Sequence, residues 1–159
     1  MNDFSRPSSR STIQSGTRGL PIVLMAVLLV VGLGGCGGVD RMKTALQNEQ
    51  KRNMLTSTAS QYRQALRWGH YKDAVPIIRP QEEGVTLNTN WQAMKDIKIT
   101  GYEESSKVID ADNGRAQIVA ELEYYDLNNS VVKKTRQEQL WWFDEDVKQW
   151  FNGTGLPEF

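Results

Sequence analysis

The chain has 159 residues, with 19 Lys and Arg against 19 Asp and Glu, a formal net charge of +0 at neutral pH. That balance excludes a charge-driven affinity for nucleic acid or for anionic head groups. A single cysteine excludes an internal disulfide framework and a thiolate metal site, so the fold rests on packing, for which five Trp and five Tyr supply the bulk.

The first elements form a leader. Arg6, Arg10 and Arg18 stand against Asp3, and an apolar run from Leu20 to Val31 leads into Leu33-Gly34-Gly35-Cys36. A positive start, a short apolar core and a small-residue cleavage site, in that order, read as a secretory signal peptide. Leu20 to Leu33 is 14 residues, short of the roughly 20 that cross a bilayer. Leu33-Gly34-Gly35-Cys36 resembles the lipobox of bacterial lipoproteins. The resemblance implies cleavage between Gly35 and Cys36, diacylglycerol on the Cys36 thiol and a further acyl chain on the new amino terminus. Gly37 occupies the position where Asp commonly causes inner-membrane retention in such proteins, so the resemblance implies an outer-membrane, periplasm-facing anchor. A single chain binds a membrane marginally, and a second makes the anchor stable. Without residues 1–35 the chain keeps 124 residues, 16 basic and 18 acidic, the size of one domain.

Gly37-Gly38 reads as a short tether. From Asp40 to Trp68 there is no Pro or Gly, and Leu55, Ala59, Tyr62 and Leu66 recur at the spacing of an amphipathic helix. Met54, Thr58 and Ala65 widen the stripe, while Met42 to Glu49 reads as a solvated helix or a frayed spacer. Gly69 is the expected stop. Tyr71, Ala74, Val75 and Ile78 suggest a short helix that Pro76 ends or bends. Arg79 to Gly84 reads as a loop, and Asn88-Thr89-Asn90 as the cap of one more turn containing Trp91 and Met94.

The period then changes. Ile97 and Ile99 alternate with Lys98 and Thr100. In the clearest strand, Ala116, Ile118, Ala120, Leu122 and Tyr124 line one face, with Arg115, Gln117, Glu121 and Glu123 on the other. Asn113-Gly114 supplies the tight turn before it. A strand from about Val131 to Phe143, a turn at Asp144-Glu145-Asp146 and a last strand from about Lys148 to Asn152 complete the pattern.

Helices followed by a meander of strands predict an α+β class, with helices packed on one face of an antiparallel sheet. From about Lys51 onward the chain resembles the NTF2-like (cystatin-like) superfamily. The helix ending Ala65-Leu66-Arg67-Trp68-Gly69-His70-Tyr71 carries the resemblance, with strands Ile97 to Tyr102, Ala116 to Tyr125 and Gln139 to Phe143 and the Trp150-Phe151 ending. It implies a curved sheet wrapped round a long helix as a cone. The expected organisation is a signal peptide over 1–35, a lipidated cysteine with tether and spacer over 36–50, and an NTF2-like domain over 51–159.

His70 is the only histidine. A general base inside the cone is one reading of it and a helix-start surface position the other. The second is favoured because no motif supplies a partner, so catalytic residues are expected to be none. Asp110-Ala111-Asp112-Asn113-Gly114 resembles the start of a calcium loop, but Glu121 at the twelfth place belongs to a strand, so no metal and no other cofactor is expected. Lys133, Lys134 and Arg136 read as exposed strand positions that discourage edge pairing. Asn152-Gly153-Thr154 matches a glycosylation sequon that a bacterial lipoprotein signal renders coincidental.

Trp141-Trp142-Phe143 is the constellation that points outward. Neighbours in a strand face opposite ways, so the two tryptophans split between faces. Trp141, with Phe143, is expected on the helix-packed side. Trp142, near Leu140, is left needing cover from Leu156-Pro157-Glu158-Phe159 or from another molecule. The sequence therefore predicts a non-catalytic, lipid-anchored envelope protein that acts by binding or scaffolding, attached to the membrane through its lipid and meeting a protein partner or a second copy. The rival expectations are a ligand-binding or catalytic cone, of isomerase, dehydratase or hydrolase type, and an accessory lipoprotein of a larger envelope assembly.

Overall fold

A computed structural model describes the backbone of residues 36–159 and the side chains from Asp40 onward. The leader and the Gly35–Cys36 cleavage site lie outside these residues or outside their described side chains. The chain divides into two compact units, 1–41 and 42–159, and the described part of the first is the opening of a helix. The class is α+β: one long helix and a four-stranded antiparallel sheet that does not close.

Helix α1 spans Cys36–Trp68. Gly37 and Gly38, expected as a tether, lie within it, as does the whole 36–50 stretch expected as tether and spacer. Each turn added to an existing helix costs far less than starting one, so the good helix formers after Asp40 carry the backbone back through the glycines. Leu55, Tyr62 and Leu66 are 0% exposed and Ala59 4%. Full burial of such side chains stabilises by about 1.5–3 kcal/mol each. Met54, expected to widen the stripe, is exposed, because one residue along a helix turns about 100° away from Leu55.

The helix stops at Gly69, whose φ of +73° suits a residue without Cβ. The Gly69 N–H donates to the Leu66 carbonyl at 3.2 Å and the His70 N–H to the Ala65 carbonyl at 2.8 Å, the paired bonds of a Schellman ending. Helix α2, Tyr71–Ala74, passes into a 3-10 turn, Val75–Ile77, that admits Pro76 in its first positions. A second 3-10 turn, Trp91–Met94, is capped by the Asn90 side chain.

Strands β1 (Ile97–Asp110), β2 (Arg115–Asp126), β3 (Lys133–Asp144) and β4 (Gln149–Asn152) form a meander in sequence order. β1 runs well beyond the Ile97 to Tyr102 read from sequence. Its register against β2 shifts twice, between Ile99 and Gly101 and between Glu104 and Ser106. β3 pairs β2 from Lys133 to Trp142 but β4 only from Trp141 to Asp144, so Lys133, Lys134 and Arg136 lie on a half-open strand. The far side of β4 is met by Ile78, bridged to Asn152. One core joins the α1 stripe to Tyr71, Ile99, Ile118, Trp141 and Trp150.

Candidate functional site

The inner side of the sheet carries a polar network under the helix. β3 places Gln137 opposite Ala120 and Gln139 opposite Ile118, so both amides point inward, where they are 7% and 0% exposed. The Tyr62 hydroxyl donates to the Gly155 carbonyl at 2.8 Å, and Gln137 Nε2 reaches that hydroxyl at 3.2 Å. Gln139 Nε2 donates to Gln137 Oε1 and to the Tyr102 hydroxyl, each at 2.9 Å, while the Trp141 indole N–H reaches Gln139 Oε1 at 3.3 Å. The Tyr62 ring stands edge-on to Trp141 with centroids 5.8 Å apart. Burial raises the Tyr62 hydroxyl above its ordinary value and pushes Tyr102 up to about 12, so both stay protonated near neutral pH. The network joins uncharged side chains and has one loose end, the buried Asn152 Nδ2. Alternation from an inward Trp141 carries Gln137 and Gln139 to the same face, but the sequence gave no sign of the partners from three other segments that satisfy them there.

The outer side is built differently. Trp141 is 1% exposed in the core with Phe143, and Trp142 lies on the opposite face, partly buried. The Trp142 indole N–H donates to the Arg79 carbonyl at 2.9 Å, and its ring lies 5.4 Å from Phe151. The Arg79 guanidinium lies 4.1 Å over the Phe151 ring and holds Asp144 at 2.9 Å. Gln81, two residues on, accepts from Arg115, the cross-strand neighbour of Trp142. The cover over Trp142 is thus the 79–81 loop, not the C-terminal segment. That segment turns inward: Leu156 is 3% exposed in the core and the Phe159 ring lies 4.4 Å from Tyr124. Sequence spacing showed no link between residues 79–81 and 142, which only the tertiary fold joins.

Beyond that cover Val119 is buried on the same face at 5% exposed, but two apolar side chains lie open. Leu140 is 56% exposed and Val108 61%. With Gln117 between them they line a shallow, largely apolar groove of about 260 Å³, bordered by Asp110 and Arg115. Val108 carried no outward signal, because two register shifts separate it from the part of β1 that alternates cleanly. Farther along the face, Glu103, Glu121 and Glu123 gather beside Lys134, whose amine lies 2.8 Å from Glu123 and is held above the usual lysine range by that carboxylate.

The other sequence positions stay apart from both sides. His70 is exposed at the α2 start, its side chain making no cap bond and its Nδ1 lying 4.0 Å from Asp73. Asp110 accepts from the Asn113 backbone and side chain, which lowers its carboxyl; the loop shapes a turn, and no metal-holding group of three appears among the described residues. Glu145 joins Lys51 at 2.6 Å and Lys148 at 2.8 Å, tying the last turn to α1, and these amines lower its carboxyl. Asn152 of the sequon is 0% exposed, its Oδ1 accepting from Thr154 N–H at 2.8 Å. Cys36 opens the α1 backbone, and the lipobox reading falls outside the described side chains. No helix among the described residues is long and apolar enough to cross a membrane. Comparison with family models, with curated proteins and with solved structures gives no match.

Proposed function

We propose that this chain is a lipid-anchored protein of the bacterial envelope whose domain acts by binding through the outer face of its sheet, without chemistry of its own. The observation that carries the reading is that face: Leu140 and Val108 lie open beside a groove, next to a Trp142 held in place by Arg79 and Phe151. Aromatic side chains fixed beside exposed apolar ones suit a contact surface, because little freedom is lost when a partner covers them. The inner side favours the same reading. Trp141, Trp150, Leu55 and Leu66 fill it, and its polar groups are amides and raised-pKa phenols, poor general bases near neutral pH.

An NTF2-like cone is the finer form of the fold in this proposal, supported by the long helix against a four-stranded meander. The anchor rests on Leu33-Gly34-Gly35-Cys36 after a basic leader and a short apolar run. Labelled fatty acid fed to expressing cells is expected in the wild-type chain and absent from Cys36→Ala, which also stays unprocessed. Membrane-bound protein whose Cys36 proves unmodified by mass spectrometry would reject the anchor. Crosslinking in cells tests the contact surface separately, with capture expected to fall for Leu140→Asp.

A further inference from the structure

We infer that the open edge of β3, from Lys133 to Gln139, receives an extended acidic segment of another protein as an added strand. The inference goes beyond the outer-face contact proposed above and needs neither that contact nor the lipid.

In an antiparallel ladder, alternate residues turn both main-chain groups toward the same neighbour. Leu140 turns them away from β2: its carbonyl accepts from the Gly153 N–H at 2.7 Å and its N–H donates to Thr154 Oγ1 at 2.8 Å. Lys134, Arg136 and Glu138 share that direction and are exposed, and their N–H and carbonyl groups on that side meet no partner among the described residues. The edge is also regular, since β3 pairs β2 without a register shift from Lys133 to Trp142. It is longer than the unbroken end of β1, Ser106 to Asp110.

The chain has the length to cover this edge itself and does not. Continued in the register of β4, Gly153 to Phe159 would lie opposite Leu140 to Lys134. Gly155, at a φ of +99°, turns the segment inward instead, where Tyr62 and Gln137 hold its carbonyl. Pro157 would fall opposite Arg136 with no N–H to offer its carbonyl. The ladder therefore stays open to another main chain, the mode of recognition by strand addition.

Charge narrows the partner. A strand added here lies about 4.8 Å from β3, nearer to the β3 side chains than to Glu121 and Glu123 on β2. Lys134 is already held by Glu123 at 2.8 Å, and Glu138 is tied to Gln117. Lys133 and Arg136 join no ion pair among the described residues. Opposite charges across a strand pair stabilise it and like charges oppose it. The same cations therefore turn away a second copy's β3 and favour carboxylates opposite them.

The test is fluorescence anisotropy of a labelled Thr-Val-Glu-Val-Glu-Thr peptide, titrated with the full chain in an uncharged detergent. Its glutamates share one side of a strand, the side that Arg136 occupies on β3. Saturable binding is expected, weakened by about fivefold or more in Arg136→Glu. A peptide with lysine at both glutamate positions should show the reverse order and bind the variant better than the parent. N-methylation of the two glutamate amides should abolish binding, because it removes the donors to the ladder. That comparison uses the parent chain alone, so it decides the case even where the variant folds poorly. No saturable binding, or equal affinity for the methylated peptide, overturns the added strand. An affinity indifferent to Arg136→Glu in a variant whose circular dichroism matches the parent overturns the acidic partner.

Discussion

Trp141 and Trp142 are neighbours in the chain that respond to different surroundings. Trp141 is 1% exposed against the edge of Tyr62, so Trp141→Ala should cost about 3–5 kcal/mol, the range for emptying a packed aromatic site. Trp142→Ala removes a partly buried ring and one bond to the Arg79 carbonyl, and should cost about 1–2 kcal/mol. Urea unfolding of the two variants checks the order, and equal losses would contradict it. The phenols give a second expectation. Tyr62 and Tyr102 are both raised from 10.0 by burial, Tyr102 to about 12. A raised folded value contributes stability that is complete below the unfolded value and is lost as pH rises through the folded one. The thermal midpoint should therefore fall as pH climbs from 10 toward 12, and fall less in Tyr62→Phe. Phenolate absorbance should show three tyrosines, Tyr62, Tyr71 and Tyr102, ionising late, together with unfolding. Asn152 illustrates the limit of motif reading at this scale: its side chain shapes a backbone turn inside the protein, where no glycosylating enzyme reaches it.

Among the elements, those defined by their own period were legible. The α1 stripe from Leu55 to Leu66 repeats every three or four residues, and the inward face of β2 from Ala116 to Tyr124 repeats every two. Gly69 was legible too, because a left-handed residue after a long helix has few occupants. Gly69→Ala should cost about 1 kcal/mol through its positive φ, with nothing within 4 Å of the new Cβ to add a clash; a chemical denaturation midpoint equal to wild type would count against that Schellman ending. The far half of β1 was not legible, since Glu103 to Lys107 is a polar run and two register shifts, one before it and one within it, break the alternation. Nor was the network that satisfies Gln137 and Gln139, which depends on hydroxyls and a carbonyl supplied from α1, β1 and Gly155. Local sequence reports propensity, whereas the satisfaction of a buried amide is decided at a distance.

For the whole molecule, meander topology places consecutive strands side by side and leaves β1 and the first half of β3 with a side unpaired within the described residues. The sequence led to the expectation of Trp142 near Leu140 on the outer face, but not that the 79–81 loop anchors Trp142 and leaves Leu140 and Val108 bare. The single turn between β3 and β4 is fastened by two ion pairs, Glu145 to Lys51 of α1 and Asp144 to Arg79 of the 79–81 loop, so the site is carried on braced backbone. The two register shifts in β1 bear on what happens when many copies crowd one surface. A neighbouring strand laid along its open side finds no stretch in step longer than Ser106 to Asp110, too short for a hydrogen-bonded ladder to persist and recruit the next copy. The open edge of β1 therefore gives a crowded neighbour little to extend, and is a poor seed for fibril growth.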